Sequence, residues 1–242
     1  MPMNYKQQAA EYALKYVCSG MLLGLGSGST TSYFIQALGE RVRSGALHDI
    51  SAVCTSIAST ELAHSLGISL TSLSERTRQG VMPVLDLAVD GADEVDPELN
   101  LIKGLGRAAL REKIVEMHAR QFVIVVDESK IVPQLGRRGP LPVEIIPFEA
   151  ELHVLWLHSL GCRAEMWLEE DGSPVVTDNG NYLVRCWFEA GIANPYALAL
   201  VLAERPGIVE HGLFLDMATH IIVAGSDGIR VIERDQVPSP SR

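Results

Sequence analysis

Apolar positions along this chain follow two rhythms. Short continuous runs at Met21–Leu25, Ile50–Cys54 and Val84–Val89 read as buried strands, each ending in glycine or polar residues. Between them the spacing turns helical. Residues 4–18 place Ala9, Ala13, Leu14 and Val17 on one side, and Ser29-Thr30-Thr31 offers an N-cap to a helix bearing Tyr33, Phe34, Ala37 and Leu38. Ser59 to Leu66 is helical and stopped by Gly67. A helix over 106–119 precedes a strand from Gln121 to Val126. Strands alternating with helices predict an α/β fold with right-handed crossovers and a mostly parallel sheet.

The pattern changes after Pro133, Gly136, Gly139 and Pro140, which mark a boundary. Beyond it the order is strand (141–146), helix (148–160), strand (163–168), strand (182–187) and helix (195–204). That order suits a small α+β unit with a largely antiparallel sheet. Two further strands, His220–Ala224 and Gly228–Ile232, are joined by a Ser226-Asp227-Gly228 turn and are free to return to the first unit. The tail 236–242 is expected to be disordered.

Composition narrows the function. The chain has 242 residues, 47% of them hydrophobic, enough to form one large domain or two unequal ones. No apolar run approaches the roughly 18 residues that span a bilayer, and the polar start Met1–Gln7 lacks a signal-peptide core. A cytoplasmic address without a membrane partner is expected. The net charge is −10 and no basic run exceeds Arg137-Arg138, so no nucleic-acid partner is expected. An anionic ligand must then be held by a few local donors. Cys18, Cys54, Cys162 and Cys186 form no CxxC pair and read as buried free thiols. The histidines show no ligand spacing, so no metal site is expected.

Three strand ends converge on possible chemistry: Gly26–Thr31, Asp90–Glu94 and Asp127–Lys130. In parallel sheets ligands bind beyond such ends. Gly26-Ser27-Gly28-Ser29-Thr30 puts flexible backbone and hydroxyls at a helix N-terminus, where free N–H groups and the dipole favour phosphate. Ser29 stands where a dinucleotide fingerprint needs its third glycine, and no Gly-Lys-Ser/Thr string is present, so a monophosphate is the better reading. Asp90 and Asp93 are either turn formers or an acid/base pair facing the second glycine turn, which bears Lys103. Glu112 lies opposite an apolar stripe of Leu110, Ile114, Met117 and Gln121. A solvated Arg-Glu-Lys face is its default, and a catalytic role requires a second domain or a substrate to lean over it. Lys130 is either a phosphate ligand or a solvated loop lysine. Asp178-Asn179-Gly180-Asn181 reads as a turn.

Together these strings resemble the type A ribose-5-phosphate isomerases over nearly the whole chain, from Tyr16 to Val231. The resemblance rests on Gly24–Thr30, Thr55-Ser56 with Ser59-Thr60, Asp90–Glu94, Lys103-Gly104, Leu110–Lys113, Asp127–Lys130, Leu141–Glu144 and Thr177–Asn181. It implies interconversion of D-ribose 5-phosphate and D-ribulose 5-phosphate through an enediolate, in the pentose phosphate pathway, with no cofactor and a small sugar phosphate as partner. It implies a Rossmann-like catalytic domain (1–136 and 212–235), a ferredoxin-like domain (137–211) and a homodimer or homotetramer. Carried over by residue, Glu112 is the base, Lys103 a donor to the oxyanion, and Asp90 and Asp93 move hydroxyl protons. Gly28, Ser29, Thr30, Thr31, Gly91, Ala92, Gly104, Lys130 and Lys6 match substrate-binding positions.

The family commonly has an unbroken glycine run after the lysine, which Leu105 and Arg107 interrupt here. Leu105 is expected in an ordinary backbone region with its side chain packed inward. Arg107 is expected to begin the following helix and to pair with an acid such as Glu94. Another sugar-phosphate isomerase or an amino-sugar-phosphate enzyme on a related scaffold, and a non-catalytic sugar-phosphate sensor, are the alternatives.

Overall fold

The computed structural model describes residues 4–77 and 84–234, so the tail expected at 236–242 lies outside the described residues. The first half runs α1 (Tyr5–Ala13), β1 (Leu22–Leu25), α2 (Ser29–Arg43), β2 (Ser51–Cys54), α3 (Ile57–Ser65), β3 (Ser69–Leu70), α4 (Leu73–Thr77) and β4 (Leu85–Asp90). Two short strands follow, β5 (Glu94–Val95) and β6 (Leu101–Ile102), then α5 (Ala109–Glu116) and β7 (Ala119–Asp127). The second half contains β8 (Leu141–Ile145), α6 (Ala150–His158), β9 (Arg163–Met166), β10 (Tyr182–Trp187), α7 (Pro195–Ala203) and β11 (Ile208–His211). It closes with β12 (Leu213–Phe214), β13 (His220–Gly225) and β14 (Gly228–Glu233).

The largest sheet has the order β14-β13-β7-β4-β1-β2-β3. All its neighbouring pairs are parallel except the β13–β14 hairpin, as the strand–helix alternation predicts. One core packs Leu23, Leu25, Phe34, Leu38, Val89 and Val125 beneath α1 and α2; another gathers Leu101, Phe122, Ile124 and Phe214. The second unit forms an antiparallel sheet ordered β11-β8-β10-β9, with α6 and α7 in the crossovers. Strand–helix–strand–strand–helix–strand is the ferredoxin-like arrangement.

A third sheet, β12-β6-β5, joins the two cores through the period-2 alternation of strands. Leu101 and its partner Phe214 enter the core of the large sheet. Ile102 and its partner Leu213 enter the core of the smaller one. Lys103 follows directly on β6, and its N–H donates to Gly212 O at 2.9 Å. The site lysine thus leaves from the seam between the two layers.

Several expected elements change. The first helix stops at Ala13 and continues as a 3₁₀ turn, and the helix expected over 106–119 is confined to Ala109–Glu116. The N-cap of α2 is Gly28, without a side-chain bond, in place of the Ser29–Thr31 hydroxyls. Cys162 and Cys186 are buried, whereas Cys18 is exposed and Cys54 half-buried.

Candidate active site

The site begins with Asp90 at the end of β4. Its carboxylate is fully buried and saturated: Oδ1 accepts from Ser27 N (3.0 Å), Thr31 Oγ1 (2.7 Å) and Gly91 N (2.7 Å), and Oδ2 accepts from Lys103 Nζ (2.6 Å). Gly26 has to be glycine for this to fit, since a Cβ there would fall 1.9 Å from Asp90 Cγ. The glycine turn after β1 and the acid after β4 are therefore one assembly. Ser27 Oγ extends it, bonding Thr55 Oγ1 and Ser56 Oγ, both at 2.7 Å.

A cleft of about 290 Å³ opens over this assembly. It is lined by Lys6, Ser27, Gly28, Ser29, Thr30, Gly91, Ala92, Asp93, Lys103, Gly104, Leu105, Gly106, Glu112 and Lys130. Of the residues matched from sequence, only Asp90 and Thr31 stand behind the wall, where Thr31 braces Asp90. Ser27, Leu105 and Gly106 are lining residues that the sequence reading did not count among the substrate-binding positions.

One end of the cleft is built for an anion. The first turn of α2 carries Ser29 and Thr30, and Lys6 Nζ reaches Ser29 Oγ at 3.2 Å. Helix N–H groups, two hydroxyls and the Lys6 ammonium meet there despite the acidic whole, while Lys130 lines the cleft and interacts with Asp93.

The other end holds Glu112 and Lys103. Glu112 is 3% exposed, and its Oε2 lies 3.5 Å from Lys103 Nζ. Burial pushes its pKa up, to about 8, against the pull of Lys103 and with help from Asp90 and Asp93. Burial alone would lower the Lys103 ammonium, but Asp90, Glu112 and Glu116 outweigh it and raise its pKa. Asp93 is also raised, chiefly by burial, while the Leu105 N–H, Lys130 and Lys103 pull it down. Its Oδ2 accepts from Leu105 N at 2.9 Å.

The solvated face expected for Glu112 is inverted. Ala109, Glu112, Val115 and Glu116 form the buried side of α5, while Ile114 is 46% and Met117 67% exposed. The reason is the smaller layer leaning over the helix. Lys113 Nζ donates to Glu210 Oε1 (2.5 Å) and His211 O (2.8 Å). Arg111 bonds Asn179 Oδ1 (2.8 Å), Asp178 O (2.7 Å) and Asp178 Oδ2 (3.3 Å). The 177–181 turn is more than a turn: buried Glu144 accepts from Thr177, Asn179 and Asn181, and Asp178 also takes the Ile57 N–H.

Arg107 differs from expectation in partner and in backbone. It precedes α5, sits at φ +69°, and forms a forked pair with Glu169 (2.6 and 3.1 Å) beside the Trp167 ring. Glu94 is engaged elsewhere, accepting from the N–H groups of Gly136, Arg138 and Gly139. Positive φ falls at Gly104 and Arg107. Leu105, as expected, stays outside that region, and its half-buried side chain lines the cleft. The departure from glycine is thus strained at one position only.

With this geometry in hand, comparison with known proteins is direct. Residues 51–228 match the family described as ribose 5-phosphate isomerase A (phosphoriboisomerase A). The chain is 48% identical over 229 residues to ribose-5-phosphate isomerase A of Roseiflexus castenholzii, covering 95% of each. It is 42% identical to probable ribose-5-phosphate isomerase 3, chloroplastic, of Arabidopsis thaliana, covering 96% of this chain and 83% of that one. A solved structure of D-ribose-5-phosphate isomerase in complex with phospho-erythronic acid has a TM-score of 0.90 at 40% identity, covering 96% of this chain and 100% of that one. The Plasmodium falciparum ribose 5-phosphate isomerase structure also has a TM-score of 0.90, at 33% identity, with coverage of 96% and 99%.

Proposed function

Because this chain belongs to the ribose 5-phosphate isomerase A family, we propose that its cleft carries the proton transfer of that reaction, with the roles assigned below. The protein is an aldose–ketose isomerase that interconverts D-ribose 5-phosphate and D-ribulose 5-phosphate in the pentose phosphate pathway. The conversion moves a proton between C2 of the aldose and C1 of the ketose through an enediolate. A base must remove and return that proton, and a donor must hold the oxygen that becomes anionic.

The observation that carries the reading is Glu112 buried in the cleft 3.5 Å from Lys103. Glu112 takes the proton. Its raised pKa makes it a better base than an ordinary carboxylate while leaving it ionisable near neutrality. Lys103, fixed by Asp90 and Gly91 O, faces the developing oxyanion with the backbone after Gly104. Asp93 lines the cleft and handles hydroxyl protons during ring opening. Asp90 acts from behind, as the acceptor that sets Lys103. The phospho-erythronic acid bound by the relative supports this layout: it joins a phosphate to a planar anionic carboxylate, the shape and charge of an enediolate.

Proton transfer leaves an isotopic record. Turnover in D₂O should place deuterium at C1 of ribulose 5-phosphate, read by proton NMR. Product free of deuterium after full equilibration would indicate a hydride shift and remove the base from the mechanism.

The phosphate end is tested separately. Replacing Ser29 and Thr30 together with alanine removes two hydroxyl donors to a charged group, each worth about 1.5–3 kcal/mol. KM for ribose 5-phosphate should rise by on the order of 10²-fold, with kcat much less affected. An unchanged preference over unphosphorylated ribose would move the phosphate to another part of the cleft.

A further inference from the structure

α5 carries a second carboxyl on the face that bears Glu112. Glu116 stands one turn further on, is buried, and does not line the cleft. Its Oε1 lies 3.5 Å from Lys103 Nζ, the same separation as Glu112 Oε2. An ammonium has three hydrogens to give. Two are committed, to Asp90 Oδ2 at 2.6 Å and Gly91 O at 2.7 Å. The third faces two equidistant carboxyls. Among the described residues no donor makes a full hydrogen bond to either Glu116 oxygen or to Glu112 Oε2.

Resting on the reading of Glu112 as the base, we propose that Glu116 is a positioning residue: it competes with Glu112 for the third Lys103 hydrogen and keeps the base from closing into a tight ion pair. A carboxylate locked onto an ammonium is a weak base, and an ammonium locked onto that carboxylate is lost to the oxyanion. A divided hydrogen leaves both groups available to substrate.

The groups around Glu112 single out Glu116 for this task. Asp90 faces it from β4, Asp93 from the loop after β4, Lys103 from the end of β6, and Glu116 from its own helix. Lys113, its neighbour in sequence, turns away to Glu210 and His211 on β11. Asp90 and Asp93 are already bonded to backbone N–H groups. Glu116 has no bond from a backbone N–H, and its side-chain hydrogen bond is to Asp90. Burial pushes Glu116 well above the ordinary carboxylate range, against the pull of Lys103, with the charge of Asp90, the hydrogen bond to Asp90 and the charge of Glu112 adding to the rise. A hydrogen shared with Asp90 leaves the other Glu116 oxygen as an acceptor toward Lys103.

Two substitutions separate this from a merely structural role. Glu116→Leu removes the acceptor and hands the third hydrogen to Glu112. The acid limb of kcat/KM should move down by about one pH unit or more, the scale of an opposite charge newly engaged. kcat should fall by roughly tenfold as the base weakens, with KM little changed. Glu116→Gln keeps an acceptor oxygen and should hold the limb near its original position. Carbon-13 NMR of the glutamate carboxyls, with the Glu112 signal identified by its loss in Glu112→Gln, follows the same titration without turnover. Glu116→Met replaces the leucine variant if that fails to fold. A Glu112 titration unmoved in the folded leucine or methionine variant overturns the proposal, as does an equal shift in the glutamine variant. If the NMR titration moves and the rate profile does not, the competition stands and the assignment of Glu112 as base falls.

Discussion

Glu112→Gln should lower kcat by about 10²–10⁴, the usual contribution of a positioned general base, while KM stays close to that of the parent. The amide keeps the shape and the Lys103 contact and loses only the ability to take a proton. Steady-state assays of ribulose 5-phosphate formation measure both constants. Turnover within threefold of the parent would exclude Glu112. The parent enzyme carries a matching pH signature. Glu112 must be ionised to act, and burial holds its pKa up at about 8, so kcat/KM should climb with pH through that region. Stability runs the other way. A carboxyl whose folded pKa lies above its unfolded value contributes stability in acid that is lost as pH rises toward the folded pKa. The glutamine variant escapes that loss and should melt no lower than the parent at pH 8.

Lys103→Met should be the most damaging single change in stability, and it should cost rate as well. Its ammonium is 2% exposed and faces Asp90, Glu112 and Glu116, so its removal strands the buried Asp90 carboxylate. Breaking a buried pair in this way costs about 3–5 kcal/mol. For a chain of this size that is a melting-temperature loss on the order of 10 °C. The oxyanion donor goes with it, for a further 10²–10³ in kcat. The stranded carboxyls gain protons as pH falls, so the deficit in melting temperature relative to the parent should narrow between pH 8 and pH 5. Calorimetry across that range checks both statements. A deficit under 2 °C at pH 8 would mean that Lys103 is not the counter-ion of the cluster.

How much of this was readable in sequence depends on the range of the interaction. The parallel sheet, the cleft-facing Ser29 and Thr30, and the Asp90–Asp93 turn follow from local pattern, because a strand end and a glycine turn are written in adjacent residues. The face of α5 was not readable that way. A helical wheel assigns Ile114 and Met117 inward, yet the smaller layer and Lys103 make the carboxyl side the buried one. Arg107 finds Glu169, 62 positions away, which no local spacing reveals. β5, β6 and β12 have two residues each, too few to show a period, and β11 is mostly half-buried and carries Glu210 and His211 in place of an apolar run. Thr55 and Ser56 were legible as a family string, but not as the brace beneath Ser27.

The contacts that bracket Glu112 also set when the site comes into being. α5 has eight residues, shorter than the roughly 12–15 that hold a helix in water by themselves. Among the described residues its flanking cations, Arg111 and Lys113, hydrogen-bond to partners 67 to 98 positions further along the chain. Closing loops of that length is among the slower events of folding. Strands β1 to β4 and β7, with their glycine turn, can assemble from the first half of the chain, but the orientation of Glu112 waits for β8 to place the 177–181 turn and for β11 to arrive. The setting of α5 is therefore a product of both halves of the polypeptide, finished by segments made long after the helix itself.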